Sequence, residues 1–77
     1  MGNVTFAYLH EAMEDVLRGQ GWLSLDEVAR RNAERGLWRR PSDQKFPDAA
    51  QIRRRATQSN GRHLDRFEVS AGRIRLR

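Results

Sequence analysis

The sequence contains no cysteine and a single lysine among its 77 residues. Without cysteine the chain forms neither disulfides nor thiolate metal sites, so its stability must come from packing, and a reducing intracellular compartment suits it. It also lacks any apolar run near the length needed to cross a bilayer, and its N-terminus has neither the basic nor the apolar part of a signal peptide. We therefore expect a cytoplasmic protein that has no membrane partner.

Residues that would support catalysis are scarce as well. His10 and His63 are far apart in sequence, and neither has a metal-ligand spacing with a carboxylate. No glycine-rich phosphate loop or nucleophile motif is present, and so short a chain has little room for a sheltered catalytic cleft. The sequence therefore indicates neither an enzyme nor a bound cofactor or metal ion.

Positive charge is concentrated in the second half of the chain. Residues 1–35 carry four arginines and six acids, which gives a net charge of −2. Residues 36–77 carry ten arginines and the lysine against four acids, which gives +7. A polyanion is therefore the expected partner, and nucleic acid is the leading candidate.

Apolar periodicity and capping residues predict three helices. They span about residues 5–18, 24–35 and 47–58. Thr5 is the expected N-cap of the first helix, and Ser24 with Glu27 forms a capping box at the start of the second. Gly36 should end the second helix in the left-handed conformation, and Pro47 suits the first position of the third.

A C-terminal hairpin is predicted over about residues 65–77. Apolar residues alternate along both of its strands, and Gly72 can supply the positive φ that a tight turn requires. One core is expected to contain Phe6, Leu9, Met13, Leu25, Val28, Ile52, Phe67, Val69, Ile74 and Leu76. The predicted class is α+β, a single winged helix-turn-helix domain over residues 1–77, with three helices followed by a β-hairpin wing.

Three stretches of the chain resemble a known family. They are WLSLDEVARRNAERGLW at 22–38, PDAAQIRRRATQ at 47–58 and FEVSAGRIRLR at 67–77. Together they are similar to the HARE-type winged-helix domain. That resemblance implies a DNA-binding or chromatin-linked module, often fused to restriction nucleases, glycosylases or other DNA-modifying enzymes. The family also includes a subunit of bacterial RNA polymerase, whose winged helix acts within a protein assembly.

Two functions therefore remain open at the level of sequence. The first is a module that binds double-stranded DNA, either as the targeting domain of a DNA-processing or restriction-type enzyme or as a small transcriptional regulator. The second is a protein-interaction module that docks an acidic surface within a transcription or chromatin-type complex. The charge of +7 on residues 36–77 favours the first.

The third helix carries the candidate reading residues. Gln51, Arg54, Arg55 and Gln58 recur at helical spacing along one face. Glutamine can bind adenine and arginine can bind guanine through two hydrogen bonds each, which makes these residues candidates for contacts to base edges. A run of arginines is often only a solvated face, and the two glutamines tilt the interpretation toward readout.

Arginines outside that helix are candidates for phosphate contacts. Arg39 and Arg40 belong to the segment 37–46, which is expected to be a mobile surface loop that becomes ordered on DNA. Arg73 and Arg75 lie on the outer face of the hairpin, where they contact phosphates or merely protect a sheet edge. In some winged helices the wing reads the bases instead, so these roles can be exchanged.

The two tryptophans admit two interpretations. Trp22 and Trp38 each lie beside the predicted end of a helix, and that placement favours core or half-buried packing. The other interpretation is that they stack on bases or enclose a methylated base.

Overall fold

A computed structural model describes residues 6–57 and 66–77. In chain order the elements are α1 (Leu9–Leu17), β1 (Leu23–Ser24), α2 (Leu25–Arg35), α3 (Ala49–Thr57), β2 (Phe67–Ser70) and β3 (Arg73–Leu76). The strands form an antiparallel sheet in the order β1-β3-β2. This arrangement confirms the predicted α+β winged helix-turn-helix, with the β2–β3 hairpin as its wing.

One hydrophobic core joins the helices to the sheet. Ile52 of α3 and Ile74 of β3 are both 0% exposed. Ile74 is paired with Leu23 on one side and Val69 on the other, so one row of apolar side chains crosses the sheet toward the helices. All the predicted core residues belong to this cluster, although Phe6, Val69 and Leu76 are only partly buried.

The first helix begins later than predicted. It starts at Leu9, and its N-cap is Tyr8, which provides no side-chain hydrogen bond. The predicted cap, Thr5, lies outside the described residues. The N–H of Phe6 donates a hydrogen bond to the carbonyl oxygen of Leu37 at 3.0 Å. Phe6 therefore pairs with the segment that follows α2 instead of extending the helix.

The third helix also begins later than predicted. The Asp48 carboxylate accepts a hydrogen bond from the Gln51 N–H at 2.9 Å, which makes Asp48 the cap and Ala49 the first helical residue. Pro47 thus precedes the cap instead of occupying the first helical position. A side-chain cap outweighs the preference of proline here because it satisfies a backbone donor that is otherwise unpaired.

The signals that bound the second helix are confirmed. The Ser24 hydroxyl accepts a hydrogen bond from the Glu27 N–H at 3.0 Å, and Gly36 ends the helix with a φ of 61°. The Glu27 carboxylate binds Arg30 and Arg31 within the same helix. These hydrogen bonds hold the pKa of Glu27 below its usual value.

The segment predicted as a surface loop begins in the core. Leu37 and Trp38 are 6% and 7% exposed. The buried Asn32 amide donates to the carbonyl oxygen of Trp38 at 3.0 Å, and the Trp38 indole N–H donates to the carbonyl oxygen of Ala7 at 3.3 Å. The prediction of a surface loop is therefore wrong for these first two residues, because side-chain burial and hydrogen bonds hold them against α1 and α2.

The tip of the wing is a two-residue turn, Ala71-Gly72. Their φ angles are 51° and 78°, and positive values at both central positions are the requirement of a type I′ turn. The N–H of Leu25 donates to the carbonyl oxygen of Gly72 at 3.0 Å. The wing tip is therefore fixed against the start of α2.

Replacing Ile52 with alanine should lower the free energy of unfolding by roughly 2–5 kcal/mol, because it removes buried methyl groups and leaves a cavity. So small a domain has little stability to spare, and Leu25→Ala should act in the same direction. Urea unfolding followed by circular dichroism measures the change. An Ile52→Ala variant as stable as the parent would contradict the central place of this side chain.

Replacing Ala71 with asparagine should raise the free energy of unfolding by about 0.5–1 kcal/mol, because asparagine tolerates positive φ better than alanine does. Ala71→Val is the matched opposite, since a β-branched residue is strained there. The same unfolding measurement should rank asparagine above alanine and alanine above valine. The reverse order would mean that the turn is not of this type.

Candidate nucleic-acid interface

The burial of one side of α3 decides which of its arginines face outward. Ile52 and Ala56 are buried in the core. Each residue turns the helix by about 100°, so Arg54 lies on the opposite side from Ile52. Arg53 and Arg54 are exposed. Of the predicted reading residues, Arg54 therefore projects most directly away from the protein.

The predicted reading residues line two different grooves. Arg54 lies in a groove between α3 and the start of α2, which is lined by Leu25, Ala49, Ala50, Arg53, Arg54 and Thr57. Gln51 and Arg55 are half-buried and lie on the other side of α3. Gln58, the last of the predicted set, lies outside the described residues.

Arg53 lies beside Arg54 but was not among the predicted site residues. Its carbonyl oxygen accepts a hydrogen bond from the Thr57 hydroxyl at 2.8 Å, and its side chain is exposed in the same groove as Arg54. From the sequence, Arg53 was only one of three consecutive arginines. In the structure, Asp48 caps α3 and Ile52 is buried in the core. Together they fix the orientation of the helix and place Arg53 on the same side as Arg54.

The second groove brings Gln51 and Arg55 together with Arg40. It is lined by Ala7, Tyr8, Leu9, Trp38, Arg40, Pro41, Ser42, Gln51 and Arg55. Tyr8 is 64% exposed and stacks on the His10 ring at a centroid distance of 5.7 Å. This side of α3 therefore combines cationic, aromatic and amide side chains around one open surface.

The loop arginines are held by partners within the loop. The Arg40 guanidinium pairs with the Asp43 carboxylate at 2.9 Å. Hydrogen bonds from the N–H of Lys45 and from Arg40 hold the pKa of Asp43 below its usual value. The Arg39 guanidinium lies 4.7 Å from the centroid of the Phe46 ring, a cation–π contact. Asp43 therefore partly compensates the charge of Arg40, whereas Arg39 contacts an aromatic ring.

The two wing arginines also differ in whether a carboxylate compensates their charge. Arg75 is opposite Glu68 in the hairpin and binds its carboxylate at 2.7 Å, and its guanidinium covers the Trp22 ring at 4.8 Å. Arg73 is exposed. Of the two tryptophans, Trp38 is packed in the core, whereas Trp22 is 37% exposed and packs against Arg75 at the surface.

Ion pairs concentrate on the first two helices and their surroundings. They join Arg18 and Arg35 to Asp15, Arg30 to Glu27 and Glu34, Arg31 to Glu27, and Arg66 to Glu14. By contrast, five arginines have no carboxylate partner within residues 6–57 and 66–77: Arg39, Arg53, Arg54, Arg73 and Arg77. Of these five, Arg53 and Arg54 lie on α3 and Arg73 lies on the wing.

The described ranges hold neither a metal cluster nor a membrane-spanning helix. Across the two described ranges, His, Asp and Glu side chains do not gather in threes as a metal site would require. None of the helices described above is long and apolar enough to span a membrane.

Comparisons with protein-family models, with curated proteins and with solved structures found no match to this chain. The winged-helix fold is shown by the order of the elements and the topology of the sheet. The likeness to the HARE-type domain remains an expectation from the sequence motifs.

Proposed function

We propose that this chain is a DNA-binding winged-helix module, in which α3 enters the major groove of double-stranded DNA and the wing lies along the backbone beside it. The observation that carries the proposal is the position on α3 and the wing of three arginines that have no carboxylate partner within residues 6–57 and 66–77. Arg53 and Arg54 project from α3 and Arg73 projects from the wing. Phosphate neutralisation by such residues supplies a large share of the affinity of DNA-binding proteins.

The shape of α3 supports insertion into a groove. Its outward side presents Arg54 between two small residues, Ala50 and Thr57, which leave the helix backbone free to approach the bases. An arginine at the centre of such a face can bind guanine O6 and N7 together. Gln51 lies on the same helix, next to this outward side, and its side-chain amide can form two hydrogen bonds with adenine.

The wing tip supports a backbone contact next to the helix. The hydrogen bond from Leu25 to Gly72 holds the tip beside the start of α2, and Leu25 also lines the groove of Arg53 and Arg54. Arg73 directly follows Gly72 in the chain. The cations of α3 and of the wing therefore lie on either side of the contact between the wing tip and α2. A protein that binds along a phosphate backbone requires such neighbouring cations.

The composition of this surface favours DNA over an acidic protein partner. The centres of protein–protein interfaces are depleted of charge and enriched in large aromatic residues. The groove of Arg53 and Arg54 contains instead alanines, a threonine and the edge of Leu25. The protein-interaction function in a transcription or chromatin-type complex is therefore the second candidate.

The context of the module follows from the resemblance to HARE-type domains. We propose that it targets a larger fused DNA-processing or restriction-type enzyme, or that it acts alone as a small regulator of transcription. In either case it would work in the cytoplasm, at the nucleoid, where double-stranded DNA is present.

Arg54→Ala should change which duplexes are preferred, because a bidentate contact discriminates between bases by about 1–3 kcal/mol. Arg73→Ala should weaken binding about equally across sequences and reduce the slope of log affinity against log salt by about one. Competition binding against a panel of duplexes at several salt concentrations measures both effects. Arg18→Ala, at the exposed residue that follows α1, is the control for loss of charge.

Two other outcomes of this competition are informative. If Arg73→Ala changes the preferred sequence and Arg54→Ala does not, the helix and the wing exchange roles. If neither substitution affects binding to any duplex, the assignment of α3 and the wing to DNA fails and docking to an acidic protein becomes the better account.

Asp43→Asn should strengthen duplex binding and steepen the salt dependence by about one, because it frees Arg40 to neutralise a phosphate. Asparagine keeps an acceptor for the Lys45 N–H, so the loop should retain its shape. Glu34→Gln on α2 makes the same change in net charge away from the loop and is the matched control. Equal gains in both variants would show that only net charge matters and that Arg40 makes no local contact.

A further inference from the structure

The outer face of the sheet, directed away from the helices, carries two rows of polar and aromatic side chains. In the first row Arg75 lies between Glu68, its partner on β2, and Trp22, which directly precedes β1. In the second row Arg73 is paired with Ser24 on β1 and with Ser70 on β2. Because neighbouring rows on one face are two residues apart along a strand, the two rows are adjacent.

The first row holds the indole ring of Trp22 in a fixed position. The Glu68 carboxylate binds Arg75 at 2.7 Å, and the Arg75 guanidinium in turn lies 4.8 Å from the centre of the ring. Trp22 nevertheless remains 37% exposed. A large aromatic ring that is held from one side and open to solvent is a preorganised stacking surface.

The second row supplies an anion-binding group beside that ring. Arg73 is exposed and has no carboxylate partner in the part of the chain that the structure describes. Ser70, its partner across the hairpin, adds a hydroxyl donor. Trp22, Ser70, Ala71 and Arg73 together line an open groove of about 320 Å³. This volume is at the lower end of the range for small-ligand sites, about 300–1,000 Å³.

We propose that this groove binds one unpaired nucleotide of DNA, whose base stacks on Trp22 and whose phosphate binds Arg73 and the Ser70 hydroxyl. The inference rests on the proposed DNA-binding function and adds a preference for DNA that contains an unpaired base. A base within a continuous duplex is already stacked on both faces and is available only after it is flipped out, at a cost in free energy. A bulged or frayed base is available without that cost.

The composition of the groove selects against other small ligands. A methylated ammonium group needs several aromatic walls, and here a single ring lies beside a cation that repels it. A bare phosphate would occupy Arg73 and leave the ring uncovered. A nucleotide satisfies both parts, since its base has an aromatic face and its phosphate is an anion.

The test compares a duplex that contains a one-nucleotide bulge with the same duplex without it. The full chain should bind the bulged duplex more tightly by roughly 5- to 150-fold, the range that stacking of one base on an aromatic residue gives. Trp22→Leu keeps an apolar side chain but offers no flat ring, so the ratio of the two affinities should fall to about one. Trp22→Phe should keep most of the preference.

Fluorescence supplies a second readout at the site itself. With 2-aminopurine as the bulged base, the parent chain and Trp22→Phe should quench its emission on binding, and Trp22→Leu should not. Circular dichroism of each variant checks that it is folded. Because both substitutions replace the same exposed side chain, the contrast between phenylalanine and leucine isolates stacking from packing.

Each contrary result has a distinct meaning. Equal affinity of the parent chain for both duplexes, or a preference that persists in Trp22→Leu, overturns this inference and leaves duplex binding in place. The absence of binding to either DNA overturns the proposed function and this inference together. Binding of an acidic peptide that is lost in Arg73→Ala, without any binding of DNA, would assign the face to a protein partner.

Discussion

The burial of Ile52 and Ala56 fixes the rotation of α3 about its own axis, and the positions of its arginines follow from that rotation. This nine-residue helix has little other apolar surface with which to attach to the protein. A rotation that carried an arginine inward would bury an unpaired charge, at a cost of several kcal/mol. The packing that buries Ile52 therefore also keeps Arg54 on the exposed side of α3.

The central strand imposes a similar constraint on the wing. Ile74 of β3 is fully buried between neighbours on both sides, so Arg73 and Arg75 must face outward. The strands next to β3 then decide what each arginine meets. Glu68 is opposite Arg75 and compensates its charge, whereas Ser70 is opposite Arg73 and leaves its charge available. Two arginines separated by one residue thus acquire different roles.

Local signals made most of the fold predictable from the sequence, and long-range contacts account for what the sequence did not reveal. Ser24 and Gly36 act on their own helix ends, so the bounds of α2 could be predicted. Trp22 and Trp38 stand in similar local settings, and only the tertiary contacts separate them: Trp38 is held by Asn32 in the core, whereas Trp22 lies on the outer face. Periodicity likewise placed Gln51, Arg54 and Arg55 on one side of α3, but the division of that side between two grooves depends on elements distant in the chain.

A titration of labelled backbone amides with duplex DNA tests the central claim most directly, because it locates the contact surface without assuming a target sequence. The DNA-binding account predicts that the largest shift changes fall on residues 50–57 and 70–75, that the amides of residues 14–17 on α1 remain unchanged, and that the changes diminish as salt is added. Shift changes confined to the outer surfaces of α1 and α2, or none with any duplex, would contradict it.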